Sequence, residues 1–129
     1  MAHTILVIDD DEDARRMVSD LLETEGYRVL SAGSGPDALK LLPGEAPDLI
    51  ILDLMMPGMD GFDFLRALAN SGLARGVRVI VLTALDSFAY PDDSLADLFG
   101  VRIFMYKPFQ PSTLRENVRQ ALLTARPRA

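Results

Sequence analysis

Cysteine is absent from the chain, which excludes disulfides and thiolate metal sites and suits a reducing compartment. Histidine occurs once, at His3, ahead of the first apolar run, where an exposed terminal side chain is expected rather than a ligand. Long apolar stretches are missing too. The opening Met-Ala-His-Thr leads into a short apolar run that ends in acids. That run cannot span a bilayer, and it has neither the basic start nor the cleavage region of a signal peptide. No other stretch approaches a membrane span, and there is no internal repeat or low-complexity linker, so a soluble cytoplasmic domain is expected. Basic residues are outnumbered, with 13 Lys and Arg against 19 Asp and Glu and a net charge of -6. The basic residues are dispersed, apart from Arg126 and Arg128 in the tail. Affinity for a phosphate backbone rests largely on Lys and Arg, so direct nucleic-acid contact is not expected.

What remains is an ordinary globular composition, 49% apolar and 25% charged over 129 residues. That length builds one domain with a two-sided core and is too short for two. A single domain over 1–129 is expected, with its core at about 4–125 and 126–129 as a tail or the start of a linker. Short runs rich in β-branched residues alternate with helical patterns. Thr4–Ile8 is the first strand. Ala14, Val18, Leu21 and Leu22 follow at helical spacing, and Gly26 closes that helix. Tyr27–Ser31 reads as the second strand, with Arg28 marking an edge. Ser34-Gly-Pro36 opens a second helix, because proline fits the first turn, and Pro43-Gly44 ends it. Asp48–Leu52 and Val77–Leu82 are strands three and four, flanking a helix from Gly61 to about Asn70. Val101–Met105 is the fifth strand, and a last helix runs from about Pro111 to Ala125. This alternation predicts a doubly wound α/β fold, a parallel sheet with helices on both faces. Pattern alone leaves the strand order open.

The chemistry gathers at the carboxyl ends of these strands, where open α/β sheets bind ligands. Strand one ends in Asp9-Asp10-Asp11-Glu12, strand three in Asp53, strand four in Thr83, and strand five runs into Lys107-Pro108-Phe109. If strands one and three are neighbours, Asp9, Asp10 and Asp53 converge, with Thr83 and Lys107 flanking them. Crowded carboxylates repel unless a cation neutralises them, and an all-oxygen donor set favours Mg²⁺, with Mn²⁺ the alternative, over zinc. A carboxylate held beside such a cation, with a lysine and a hydroxyl nearby, suits attack on phosphorus, with Asp53 becoming an acyl phosphate. Each residue also has a plainer explanation. Asp11, Glu12 and Asp13 fit the first turn of a helix. Asp53 fits a cap, Thr83 a strand-end turn, and Lys107 ordinary surface charge. Four strand ends with complementary chemistry make that coincidence hard to sustain.

The residues Ile-Leu-Val-Ile-Asp-Asp-Asp at 5–11, Leu-Asp-Leu-Met-Met-Pro-Gly-Met-Asp-Gly at 52–61, Val-Leu-Thr-Ala at 81–84 and Lys-Pro-Phe at 107–109 resemble the receiver domains of two-component response regulators. The resemblance runs from about Thr4 to Ala125 and implies the flavodoxin-like strand order 2-1-3-4-5. It implies that Asp53 is the phosphoacceptor, that Asp10, Asp53 and the Met55 carbonyl ligate Mg²⁺, and that Asp9 acts mainly through bound water. Thr83 is then expected to bond a phosphoryl oxygen and Lys107 to pair with the phosphate. The switch aromatic, three residues before the lysine, falls on Phe104, which as a fifth-strand residue is equally a core aromatic. A cis peptide before Pro108 is implied as well. The implied partners are a sensor histidine kinase or phosphotransfer protein, a downstream output domain or protein, and a second copy as a homodimer. The implied output face is built by the fourth helix, fifth strand and fifth helix.

Two departures stand out. The segment 85–99 is long and contains Pro91, so the fourth helix is expected to start near Pro91 after an extended loop, since an internal proline costs a helix about 3 kcal/mol. Phe104 has no hydroxyl, so a switch there must work through packing. Met55 and Leu85 lie two residues after Asp53 and Thr83, positions that the resemblance links to autodephosphorylation. Both are apolar, so slow loss of phosphate is expected, with no catalysis beyond the protein's own phosphorylation and dephosphorylation. Pro57 and Gly61 are expected to shape the loop after Asp53, and Met55, Met56 and Met59 to pack it. Two competing functions are weaker. A haloacid-dehalogenase-like phosphatase needs a second Asp two residues after the nucleophile, where this chain has Met55. A degenerate receiver that binds partners without phosphorylation would not need the full set Asp9, Asp10, Asp53, Thr83 and Lys107.

Overall fold

The computed structural model describes residues 2–72, 77–84 and 101–123. Five strands, β1 (Thr4–Ile8), β2 (Arg28–Ala32), β3 (Leu49–Leu52), β4 (Arg78–Thr83) and β5 (Val101–Tyr106), form one sheet in the order β2-β1-β3-β4-β5. All four pairings are parallel, so the expected architecture and the implied strand order are both present. The described helices are α1 (Glu12–Thr24), α2 (Gly35–Leu41), α3 (Gly61–Ser71) and α4 (Pro111–Leu123). The helix expected from about Pro91, Leu85, and the tail with Arg126 and Arg128 lie outside the described residues. Among the described residues no helix is long and apolar enough to cross a membrane.

Strand alternation divides the core in two. Leu6, Ile8, Ile50, Leu52, Val79 and Val81 face α2 and α3 with Ala38, Phe64, Leu65 and Leu68. Ile5, Val7, Leu49, Ile51, Ile80 and Leu82 face α1 and α4 with Val18, Leu22, Leu114, Val118 and Ala121. Successive side chains on a strand point to opposite faces, so an unbroken apolar run serves both layers.

Helix starts are fixed by local polar chemistry. The Asp11 side chain accepts from the N–H groups of Asp13 and Ala14 at the head of α1. Ser34 does so for α2 through Asp37, with Pro36 in the first turn, and Asp60 for α3 through Asp63. These oxygens satisfy donors that a first helical turn leaves orphaned. Asp11 is therefore a cap, as the plainer explanation of the acids after β1 holds. Several boundaries differ by one residue from the sequence pattern. β2 runs from Arg28 to Ala32 rather than from Tyr27, β4 from Arg78 to Thr83, β5 reaches Tyr106, and α3 reaches Ser71. β3 begins at Leu49 because Asp48 caps its neighbour instead: its carboxylate accepts from Thr4 N–H at 2.8 Å while its own N–H donates to the Thr4 carbonyl at 2.8 Å.

Candidate functional site

The register of the central strands builds the site. β1 and β3 pair with Ile8 opposite Leu52, so the next residues, Asp9 and Asp53, leave the sheet side by side. The ladder continues one step beyond the strands, with Asp9 N–H donating to Ala32 O at 3.2 Å and Asp53 N–H to Ile8 O at 3.0 Å. Both carboxylates are sunk: Asp9 is 5% exposed and Asp53 7%. Asp10 is exposed at the rim. One carboxylate oxygen from each of Asp9, Asp10 and Asp53 lies within 4.8 Å of the others.

Lys107 enters from the end of β5. Its Nζ donates to Asp9 Oδ2 at 2.8 Å and to Asp53 Oδ2 at 3.3 Å. Burial pulls the lysine's pKa down, but the hydrogen bond to Asp9 and the charges of Asp53 and Asp9 outweigh it, leaving the pKa above the ordinary lysine value. The peptide between Lys107 and Pro108 is cis, as the family resemblance implies. The other oxygens of the two buried acids are held by backbone. Asp53 Oδ1 accepts from Met55 N–H at 2.9 Å, and Asp9 Oδ1 from Asp11 N–H at 3.0 Å.

Three carboxylates thus face one ammonium, an excess of negative charge that a divalent cation would relieve. Every donor in the set is oxygen, which fits Mg²⁺ or Mn²⁺ and not a soft metal. Thr83 ends β4 opposite Tyr106, one strand away from Asp53; its side chain lies outside the description. Phe104 sits on β5 opposite Val81, half-buried and packed against the core layer of α2 and α3. The core position expected of it is therefore occupied.

The loop after Asp53 corrects one expectation and gives a reason for another. Met56 is buried and Met59 packs against the core, but Met55 is 57% exposed and does not pack the loop. The turn residue with positive φ is Gly58, at 79°, not Gly61. Gly61 is required by proximity instead. A Cβ there would stand 2.7 Å from Leu54 Cα and 2.9 Å from the Asp53 carbonyl oxygen, while its N–H donates to Leu54 O at 3.0 Å. Pro57 and His3 are exposed, as anticipated for a turn and a terminus. One contact was not singled out in the sequence: Arg15 Nη1 donates to the Asp9 carbonyl at 2.8 Å. Its signal is a cation near a helix N-terminus, where the helix dipole favours acids.

Comparison with known proteins points the same way. The sequence model of the family described as "Response regulator receiver domain" matches residues 5–119. The chain is 38% identical over 119 residues to "Probable transcriptional regulator ycf27" of Porphyridium aerugineum, an alignment covering 92% of this chain and 47% of that one. It therefore spans about half the length of that relative. It is 31% identical to "Sporulation initiation phosphotransferase F" of Bacillus subtilis, covering 95% of both chains. Among solved structures, response regulator protein TrrA from Thermotoga maritima in complex with Mg(2+)-BeF superposes with a TM-score of 0.79 at 30% identity, covering 93% of this chain and 99% of that one.

Proposed function

Because this chain belongs to the family of response regulator receiver domains, we propose that it is a phosphorylation switch whose acceptor is Asp53, contained in one domain over about residues 4–125. The observation that carries the reading is the ammonium of Lys107 shared by Asp9 and Asp53, at 2.8 and 3.3 Å, beside a third carboxylate. The donor is the phosphohistidine of a sensor histidine kinase or phosphotransfer protein. A carboxylate oxygen of Asp53 attacks phosphorus, the phosphorus–nitrogen bond breaks, and the imidazole leaves and takes up a proton from solvent. The product is an acyl phosphate on Asp53.

Asp10, Asp53 and the Met55 carbonyl would hold Mg²⁺ or Mn²⁺, with Asp9 acting through bound water. Bound there, the ion would neutralise the carboxylates and draw charge from the phosphoryl oxygens. Lys107, already desolvated and charged, exchanges its contact with Asp53 for the incoming phosphoryl group. The Thr83 hydroxyl bonds a second phosphoryl oxygen, and the adjacent β5 residue Phe104 repacks, shifting the population of the output face formed with α4. That face presents the signal to an output domain or protein, or to a second copy of the chain. The side chain of Met55 is apolar and cannot orient a water molecule, so the acyl phosphate is lost slowly.

The test is intact mass after incubation with phosphoramidate or acetyl phosphate and Mg²⁺, for wild type and Asp53→Ala. A phosphate adduct on wild type alone is expected. Steady turnover of phosphate esters would instead indicate a phosphatase. No adduct from small donors or from a cognate kinase would indicate a receiver that binds partners without phosphorylation.

A further inference from the structure

Every polar atom of Asp9 is engaged, and one of its partners is a second cation, contributed by α1. Its N–H donates to Ala32 O, Oδ1 accepts from Asp11 N–H, and Oδ2 accepts from Lys107 Nζ. The remaining atom, the carbonyl oxygen, accepts from Arg15 Nη1 at 2.8 Å. Arg15 is half-buried in the opening turns of α1. Its guanidinium rests on Gly33 in the connection from β2 to α2, where a Cβ would stand 3.1 Å from Nη1 and 3.7 Å from Cζ.

This is not how a surface arginine behaves. Acids surround the start of α1, and the next residue, Arg16, pairs with Glu12 at 3.1 Å with both side chains largely exposed. Among the described residues Arg15 forms no ion pair. It bypasses the carboxylates for a backbone carbonyl and lies over a glycine, where an added Cβ would press on the guanidinium at 3.1 Å. A charged donor strengthens such a bond and fixes its direction.

We infer that Arg15 is a positioning residue for the cation end of the site: it clamps the peptide between Asp9 and Asp10 and so sets the aim of both carboxylates. The inference rests on the proposed phosphoacceptor function and adds a residue to it. Charge and position make opposite predictions here. As a charge alone, Arg15 repels a divalent cation, so its removal would tighten Mg²⁺ binding. As a clamp, its removal loosens the ligands and weakens binding.

The experiment is a calorimetric Mg²⁺ titration of wild type, Arg15→Ala, Arg16→Ala and Gly33→Ala, with amide hydrogen exchange on the metal-free proteins. Arg15→Ala is expected to bind Mg²⁺ about 10–100-fold more weakly and to exchange the Asp11 amide faster. Arg16→Ala, which removes a neighbouring cation without touching Asp9, keeps wild-type or tighter affinity. Gly33→Ala, which keeps the guanidinium but crowds it, falls between wild type and Arg15→Ala. Unchanged or tighter Mg²⁺ binding by folded Arg15→Ala overturns the inference; should that variant not fold, wild-type affinity in Gly33→Ala does so. A wild type that binds Mg²⁺, loses affinity in Arg15→Ala and still takes no phosphate would sink the proposed function and leave the clamp standing. A wild type without Mg²⁺ affinity sinks the metal-dependent reading, and the Asp11 amide then decides: unchanged exchange in Arg15→Ala overturns the clamp.

Discussion

Lys107 and Asp9, 98 residues apart in sequence, meet at 2.8 Å. The lysine reaches Asp53 at 3.3 Å with the same nitrogen. One ammonium therefore serves two buried carboxylates, and the consequences can be measured.

Lys107→Ala leaves Asp9 and Asp53 buried without their cation. Breaking a buried ion pair from one side is strongly destabilising. Because the Lys107 side chain keeps 24% of its surface exposed, the loss expected is about 3 kcal/mol, the low end of the range for such pairs. Urea unfolding in metal-free buffer reads it, and a change below about 1 kcal/mol, the value of an exposed pair, would show that the pair is not effectively buried.

The pH dependence has a defined sign. The Lys107 pKa is raised in the folded protein, so its contribution is complete below the ordinary lysine pKa of about 10.4. It is lost as pH rises through the folded value. The stability gap between wild type and Lys107→Ala should hold steady from neutral pH to about 9.5 and shrink above about 10.4. A gap that closes already near pH 8, followed by urea unfolding across the series, would contradict the raised pKa.

Asp10 is the exposed member of the acidic triad. Without metal, Asp10→Asn relieves repulsion and should raise the melting temperature. With Mg²⁺ at a hundredfold excess over its dissociation constant, wild type gains about 2.7 kcal/mol, and Asp10→Asn should gain little. Thermal melts with and without Mg²⁺ give both signs, and equal Mg²⁺ gains in the two proteins would remove Asp10 from the ligand set.

Gly61→Ala forces a Cβ against Leu54 Cα at 2.7 Å and the Asp53 carbonyl at 2.9 Å. These are backbone atoms, so the loop must move. Overpacking of this kind costs about 1–3 kcal/mol, and the shift of Asp53 should slow its phosphorylation by phosphoramidate. Chemical unfolding and the rate of adduct formation report the two effects separately. A variant as stable and as fast as wild type would show that the loop yields freely.

Met55 stands exposed beside the acceptor. Met55→Glu supplies a carboxylate able to orient water, and positioned acid–base groups accelerate reactions by about 10²–10⁴-fold. Hydrolysis of the acyl phosphate should quicken at least about tenfold, short of that full range because the new side chain is exposed. Release of labelled phosphate is the readout, and loss from wild type within seconds at neutral pH would contradict slow dephosphorylation.

Much of this was legible in the residues themselves. Apolar runs such as Ile5–Ile8 and Leu49–Leu52 carry both core layers because strand side chains alternate, so a doubly wound parallel sheet follows from pattern. The acids and the lysine stand where those runs end, which marks the site in the sequence itself. Pattern could not say that β1 and β3 are neighbours; that needed the resemblance or the fold, since strand order depends on how helices pack across the sheet. Nor could it find the clamp of Arg15 on the Asp9 carbonyl or the close approach behind Gly61. Both depend on a backbone carbonyl, of Asp9 or of Leu54, being reached at 2.8 or 3.0 Å by a group from another segment, a meeting that residue type can hint at but not specify. The sequence determined which chemical groups reach the end of the sheet, because period and hydrophobicity are local properties. Only the tertiary structure decided which of them touch, because contact is set by the register and packing of elements distant along the chain.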